Sequence, residues 1–119
     1  MKVGYTAQVT RAFSGQDMED YKALGGATRG SAVPEPLIGG LFSYLLGTKL
    51  PGIGTAYLKQ DSRYLDDALV DEELTAQVEI TDMRPEKYLV DLKTKCLGAD
   101  GRLICEGHAL VYVRDVKEG

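Results

Sequence analysis

Residues 36–50 read PLIGGLFSYLLGTKL, the longest apolar block in the chain. Leu37, Leu41, Tyr44 and Leu45 recur at i, i+4, i+7 and i+8, which places them on one helical face. Ile38, Phe42 and Leu46 cover the adjoining face, so the block predicts a helix that is apolar around most of its girth and therefore buried. Pro34 and Pro36 fit before or within its first turn, and Leu50-Pro51-Gly52 stops it. Gly39-Gly40 in its middle costs about 1–2 kcal/mol of helix propensity. That cost is accounted for if another backbone, or a ligand, approaches closely there. Everything after Pro51 reads as strand. The expected class is α+β, one central helix wrapped by a long curled antiparallel sheet.

Upstream of the helix, residues 5–13 (YTAQVTRAF) alternate as a short strand, with Tyr5, Ala7, Val9 and Ala12 turned one way. Ser14 and Asp17 form a capping-box pattern ahead of a short helix over 15–24, whose shared face is Met18, Tyr21 and Leu24. Gly25-Gly26 ends it, and 25–35 is a loop. Downstream, the first strand, 55–65, carries Ala56, Leu58, Gln60, Ser62 and Tyr64 on one face. The second, 72–83, turns Leu74, Ala76, Val78 and Ile80 inward. The third, 87–97, turns Tyr88, Val90, Leu92, Thr94 and Cys96 inward. The last, 103–113, turns Cys105, Gly107, Ala109, Val111 and Val113 inward. Asp100-Gly101 is a hairpin signal. With those two residues central to the turn, Ala99 faces Arg102, Val90 faces Val111, Leu92 faces Ala109, Cys96 faces Cys105, and Lys95 faces Glu106. One register satisfies the core and the charges together.

The chain has 119 residues, 44% of them hydrophobic and 27% charged, and reads as one domain, 1–119. A net charge of −4 speaks against nucleic acid or an anionic membrane as the main partner. Two cysteines make no disulfide framework. MKVGYTAQVT has no apolar signal region, and the central helix is short of the ~20 residues a membrane span needs. The expectation is a soluble, cytoplasmic protein.

These residues resemble a known family, the MaoC-like, (R)-specific enoyl-CoA hydratases. The stretches that carry the likeness are FSGQDMEDYKALGG (13–26), LFSYLLGTKLPGIGTAYLKQDSRYL (41–65), ALVDEELTAQVEIT (68–81) and DGRLICEGHALVYV (100–113). They run in the family's order, and the second is the most specific. The resemblance implies a hot-dog fold, a dimer, and substrates that are acyl thioesters of CoA or acyl carrier protein. It also exposes a departure. Family members follow their Leu-Ser-Gly with an Asp, then Asn-Pro and a His, and reach a His-Gly-Met at the start of the central helix. Here Leu24-Gly25-Gly26 is followed by Ala27, and Pro34-Glu35-Pro36 stands in place of the His-Gly-Met. The Asp and His that form the family's acid/base dyad have no counterpart, and hydration needs such a pair.

Glu35, near the start of the central helix, is the candidate for a catalytic base of thioesterase type, or else complements the helix dipole. Gln60 and Ser62 are polar residues on an inward strand face, suited to a thioester tunnel or to a dimer seam. Gly39, Gly40, Gly52 and Gly54 complete the candidate substrate-binding set, the first two as an oxyanion-type donor pair or as packing positions. His108, the chain's one histidine, is placed on the outward face opposite Lys93, with no acid beside it. Cys96 and Cys105 read as a reduced, buried pair. Asp66-Asp67 and Asp71-Glu72-Glu73 read as a solvated acidic edge. There is no phosphate loop, CxxC or metal-ligand cluster, so no cofactor and no metal is expected. The functional expectation is an acyl-thioester-binding or assembly subunit that has lost the dyad. It forms a homodimer joined edge to edge at 55–65, or a hetero-oligomer with an active hot-dog homologue. The alternatives are a hydratase or dehydratase using a partner chain's residues, and an acyl-CoA thioesterase using Glu35.

Overall fold

The apolar block folds as a helix in a computed structural model that describes residues 1–28 and 30–115. Arg29, inside the expected loop, lies outside the described residues. In chain order the elements are β1 (Thr6–Arg11), α1 (Gly15–Ala23), α2 (Glu35–Thr48), β2 (Ala56–Tyr64), β3 (Leu74–Arg84), β4 (Leu89–Leu97) and β5 (Leu103–Tyr112). A single 3-10 turn, Pro85–Lys87, joins β3 to β4. The five strands form one antiparallel sheet in the order β1-β3-β4-β5-β2, so β1 and β2 are its edges.

Helix α2 begins at Glu35, with Pro36 in its first turn. Proline is tolerated there because its missing N–H is one that no helical carbonyl would have met. At the other end the Lys49 and Leu50 amides both donate to Leu45 O at 2.9 Å, and Leu50-Pro51 is a cis peptide. Ile38, Leu41, Phe42, Leu45 and Leu46 are buried. They meet the inner faces of the central strands, where Leu74, Ala76, Val78, Ile80, Val90, Leu92, Ala109 and Val111 are buried too. Burying a Leu or Ile side chain contributes roughly 1.5–3 kcal/mol, so this seam holds the helix on the sheet.

The β4–β5 register is as the sequence predicts: Val90 faces Val111, Leu92 faces Ala109, Lys93 faces His108, and Cys96 faces Cys105. The turn differs. Gly98 N donates to Arg102 O at 2.8 Å, so Gly98 and Arg102 close the hairpin, not Ala99 and Arg102. Gly101, at φ +83°, takes the left-handed position that lets a longer turn close. An irregularity at Cys96/Leu97 restores the register. Glu106 faces Lys95, yet its ion pair is with Arg63 on β2, at 3.0 Å.

Several side chains depart from the expected pattern. Tyr88 adopts φ +56° at the end of the 3-10 turn, so it points to solvent and packs edge-on against Tyr112. Tyr5 is half exposed, Ala12 is exposed, and Phe13 takes the buried place at the end of β1. The capping box forms as expected, with Ser14 N donating to Asp17 Oδ2 at 2.7 Å and Asp17 N to Ser14 Oγ at 3.1 Å. Leu24, however, is 90% exposed, because the helix ends at Ala23 and Leu24 is its cap. The acidic edge is also more engaged than expected. Arg102 joins Asp66 (2.8 Å), Glu72 (3.0 Å) and Asp100 (2.9 Å), and donates to Asp67 O. That network ties the β5 hairpin to the loop after β2.

Candidate functional site

Helix α2 covers β1 and β3 but leaves a groove of about 600 Å³ between its other flank and β2. Glu35, Pro36, Gly39, Gly40 and Ser43 form the helical wall; Gln60, Ser62 and Tyr64 form the strand wall. A tyrosine spans each end. Tyr64 Oη donates to Glu35 O at 3.1 Å, and Tyr57 Oη to Ser43 Oγ at 3.3 Å.

The strand wall depends on a bulge. The β2–β5 register shifts between Tyr57 and Lys59, so Tyr57 faces inward-pointing Val111 while Gln60 faces inward-pointing Ala109. An extra residue in one strand reverses the parity beyond it. Ala56 and Leu58, expected on the inner face with Gln60, are therefore out of phase with it, and Tyr57 replaces them. Beside the bulge, β2 presses against β5. A Cβ at Gly107 would lie 2.1 Å from Asp61 O, so only glycine allows this approach.

Gly39 and Gly40 face open space, with no atom within 4 Å of where a side chain would begin. They are the fifth and sixth residues of α2, so their amides belong to the regular ladder and not to the orphan donors of the first turn. They offer the groove room. Glu35 stands at its mouth in the first turn of the helix, as expected from its place in the sequence. Gly52 and Gly54 lie instead in the turn between α2 and β2, at φ +112° and +100°, and are not part of the groove wall. There Gly52 N donates to Leu46 O, and Gly52 O accepts from Thr55 N and Thr55 Oγ1. Sequence reasoning did not single out Ser43, Tyr57 or Tyr64 as site residues. Tyr64 had the inward parity to signal it; Tyr57 was hidden by the bulge.

Burial pushes the Tyr64 phenol up to about 12, with Cys105, Glu35 and Cys96 adding to the effect. Burial likewise raises Tyr57, and Ser43 partly offsets it. Both tyrosines are thus neutral donors at neutral pH. Cys96 and Cys105, free and buried on the neighbouring strands, are raised by burial to about 11 and about 12. Their thiols are accordingly poor nucleophiles.

His108 lies on the opposite side of the sheet from the groove, facing Lys93 on β4 and Asp61 on β2. Contrary to expectation it has an acid beside it. Its Nε2 is 3.1 Å from Asp91 Oδ1, and Arg84 Nη2 holds the other oxygen of that carboxylate at 2.6 Å. Asp91 is two residues from Lys93 along β4, a diagonal neighbour that direct pairing does not reveal. None of these three side chains lines the α2–β2 groove.

No protein-family model matches the chain. Individual relatives do. An (R)-specific enoyl-CoA hydratase of Aeromonas caviae is 31% identical over 128 residues, covering 93% of this chain and 94% of that protein. The chain belongs to the MaoC-like, (R)-specific enoyl-CoA hydratase family. Because that match spans more positions than this chain contributes, part of the hydratase has no counterpart here. A second (R)-specific enoyl-CoA hydratase, from Rhodospirillum rubrum, is 38% identical over 77 residues, 65% of this chain and 53% of that one. The solved structure of the Aeromonas caviae (R)-hydratase involved in PHA biosynthesis superposes with a TM-score of 0.87 at 30% identity, covering 94% of this chain and 96% of that one. The architecture is therefore the hot-dog fold. Among the described residues no helix is long and apolar enough to cross a membrane.

Proposed function

We propose that this family member binds acyl thioesters, of CoA or of acyl carrier protein, in the α2–β2 groove without hydrating them through its own residues. One observation carries the reading. The chain's single histidine is on the far side of the sheet, already engaged with Asp91. Hydration of an enoyl thioester needs one group to activate water and another to protonate the α-carbon. The ionisable side chains of the groove are Glu35 and Tyr64, and burial holds the Tyr64 phenol protonated.

The protein acts as a subunit of a homodimer, or beside an active homologue, joined through β2. Supporting this, β2 pairs on one edge only and its residues 56–63 are exposed. A free edge of this length is a template for another strand. Glu35 at the groove's mouth favours a second reading, an acyl-CoA thioesterase with Glu35 as base.

Three assays on the purified chain separate these readings: crotonyl-CoA hydration, acyl-CoA hydrolysis, and calorimetric titration with butyryl-CoA. Binding without turnover is the expected result. Hydrolysis abolished by Glu35→Gln establishes the thioesterase instead. Hydration that tracks the protein through purification overturns the proposal.

A further inference from the structure

A second groove, of about 460 Å³, lies on the other flank of α2, under α1. Its wall is mainly apolar: Val9 and Phe13 from β1, Leu24 from the end of α1, and Leu37, Leu41 and Tyr44 from α2. Its volume falls in the range of small-molecule sites. Helix α1 roofs it loosely, since Met18 is the one residue of α1 that is buried. Of the charged groups, Arg11 pairs with Asp17, which also serves the cap, and Asp20 accepts from Gln16 Nε2. Arg11 Cζ also sits over the Phe13 ring, 4.5 Å from its centroid, a cation–π contact that occupies the guanidinium further.

The two grooves share Pro36 and Gly40. These residues form the ridge of α2 that separates them. At Gly40 the ridge carries no side chain, and the space above it is clear for 4 Å. An extended chain held at Gly39–Gly40 in the first groove therefore has an unobstructed path across the helix into the second.

We infer that the α1–α2 groove binds the hydrocarbon tail of a medium- or long-chain acyl group whose thioester lies in the α2–β2 groove. The inference rests on the thioester reading and adds a chain-length preference to it. A tail is the occupant that fits, because it is apolar, thin enough to cross at a glycine, and continuous with the group in the first groove. Each methylene fully withdrawn from water strengthens binding about fourfold. A groove open along one side recovers part of this, so eight added methylenes give roughly ten- to hundredfold tighter binding.

The test is calorimetric titration of the full chain with butyryl-CoA, dodecanoyl-CoA and dodecanoate, each below its micelle concentration. Dodecanoyl-CoA is expected to bind at least tenfold more tightly than butyryl-CoA. Tyr44→Glu and Leu24→Glu place a charge in the second groove only, at exposed positions. They are expected to reduce dodecanoyl-CoA binding to the butyryl-CoA level and leave butyryl-CoA unchanged. Equal affinities for the two thioesters overturn the inference, as does a tail preference that survives both variants. If neither thioester binds, the thioester reading fails and dodecanoate decides the groove. Its binding to the native chain and loss in Tyr44→Glu supports a site for an alkyl chain, and no binding overturns it.

Discussion

Strands β3 and β2 are both antiparallel and differ in length by two residues, yet they live in different environments. On β3, Leu74, Ala76, Val78 and Ile80 are fully buried beneath α2. On β2, every residue but Tyr64 is exposed, although Gln60, Ser62 and Tyr64 look toward the same side of the sheet as the core. The helix is too narrow to cover five strands and settles over the apolar ones. The polar inner positions of β2 are left to line a groove, so alternation alone does not establish burial.

Substitutions that test this contrast should fall in a definite order. Ile80→Ala removes a fully buried side chain at the α2 seam and should cost about 2–5 kcal/mol in denaturant unfolding. Should the loss be under 1 kcal/mol, the seam is looser than described. Gly107→Ala comes next, at about 1–3 kcal/mol, since its Cβ meets the backbone of β2 and something must shift. Amide exchange is expected to rise along β2 and not along β3; a uniform rise would mean that β2 is not held separately.

The tyrosine at the groove's end gives a pH test. The Tyr64 phenol titrates near 12 in the folded chain against an ordinary value of 10, so the folded state holds its proton longer. Its contribution to stability is complete below pH 10 and is lost as the pH rises toward 12. Cys96 and Cys105 act in the same direction from pH 9 upward. Tyr64→Phe should therefore flatten the alkaline fall in the unfolding midpoint while leaving the part due to the thiols. An unchanged profile would place the Tyr64 hydroxyl in water.

The smallest effect concerns β2 itself. Within one chain Leu58→Ala should change stability by no more than about 0.5 kcal/mol, because Leu58 is 56% exposed. If β2 pairs with a second copy, as we propose, sedimentation equilibrium returns twice the 12.9 kDa chain mass, and the cost of Leu58→Ala grows with protein concentration and falls back to the within-chain value on dilution. A single 12.9 kDa species at micromolar concentration would leave β2 a bare edge.

The sequence by itself determined the elements that bury a continuous apolar face. The helix at 35–48, the alternation of β3 and the β4–β5 register were legible because each places core residues at the period of its own backbone. Gly39, Gly40, Gln60 and Ser62 were legible as site candidates for the complementary reason, as small or polar residues inside apolar patterns, and Glu35 by its place near the start of the central helix; the fold gathers all five at one groove. Only the tertiary structure decided the rest. The bulge at Leu58 turned Tyr57 inward in place of Ala56 and Leu58, a shift that leaves no mark in composition. The return of β2 to the ends of α2 made Tyr57 and Tyr64 the groove's two ends. Gly52 and Gly54, in the stretch that stops the helix, were left off the groove wall. Asp91 came beside His108 on a diagonal, and the docking of α1 left a second groove. These outcomes depend on which strand lies beside which helix. Local periodicity carries no information about that, because it records one element's own faces and not what another chain segment lays upon them.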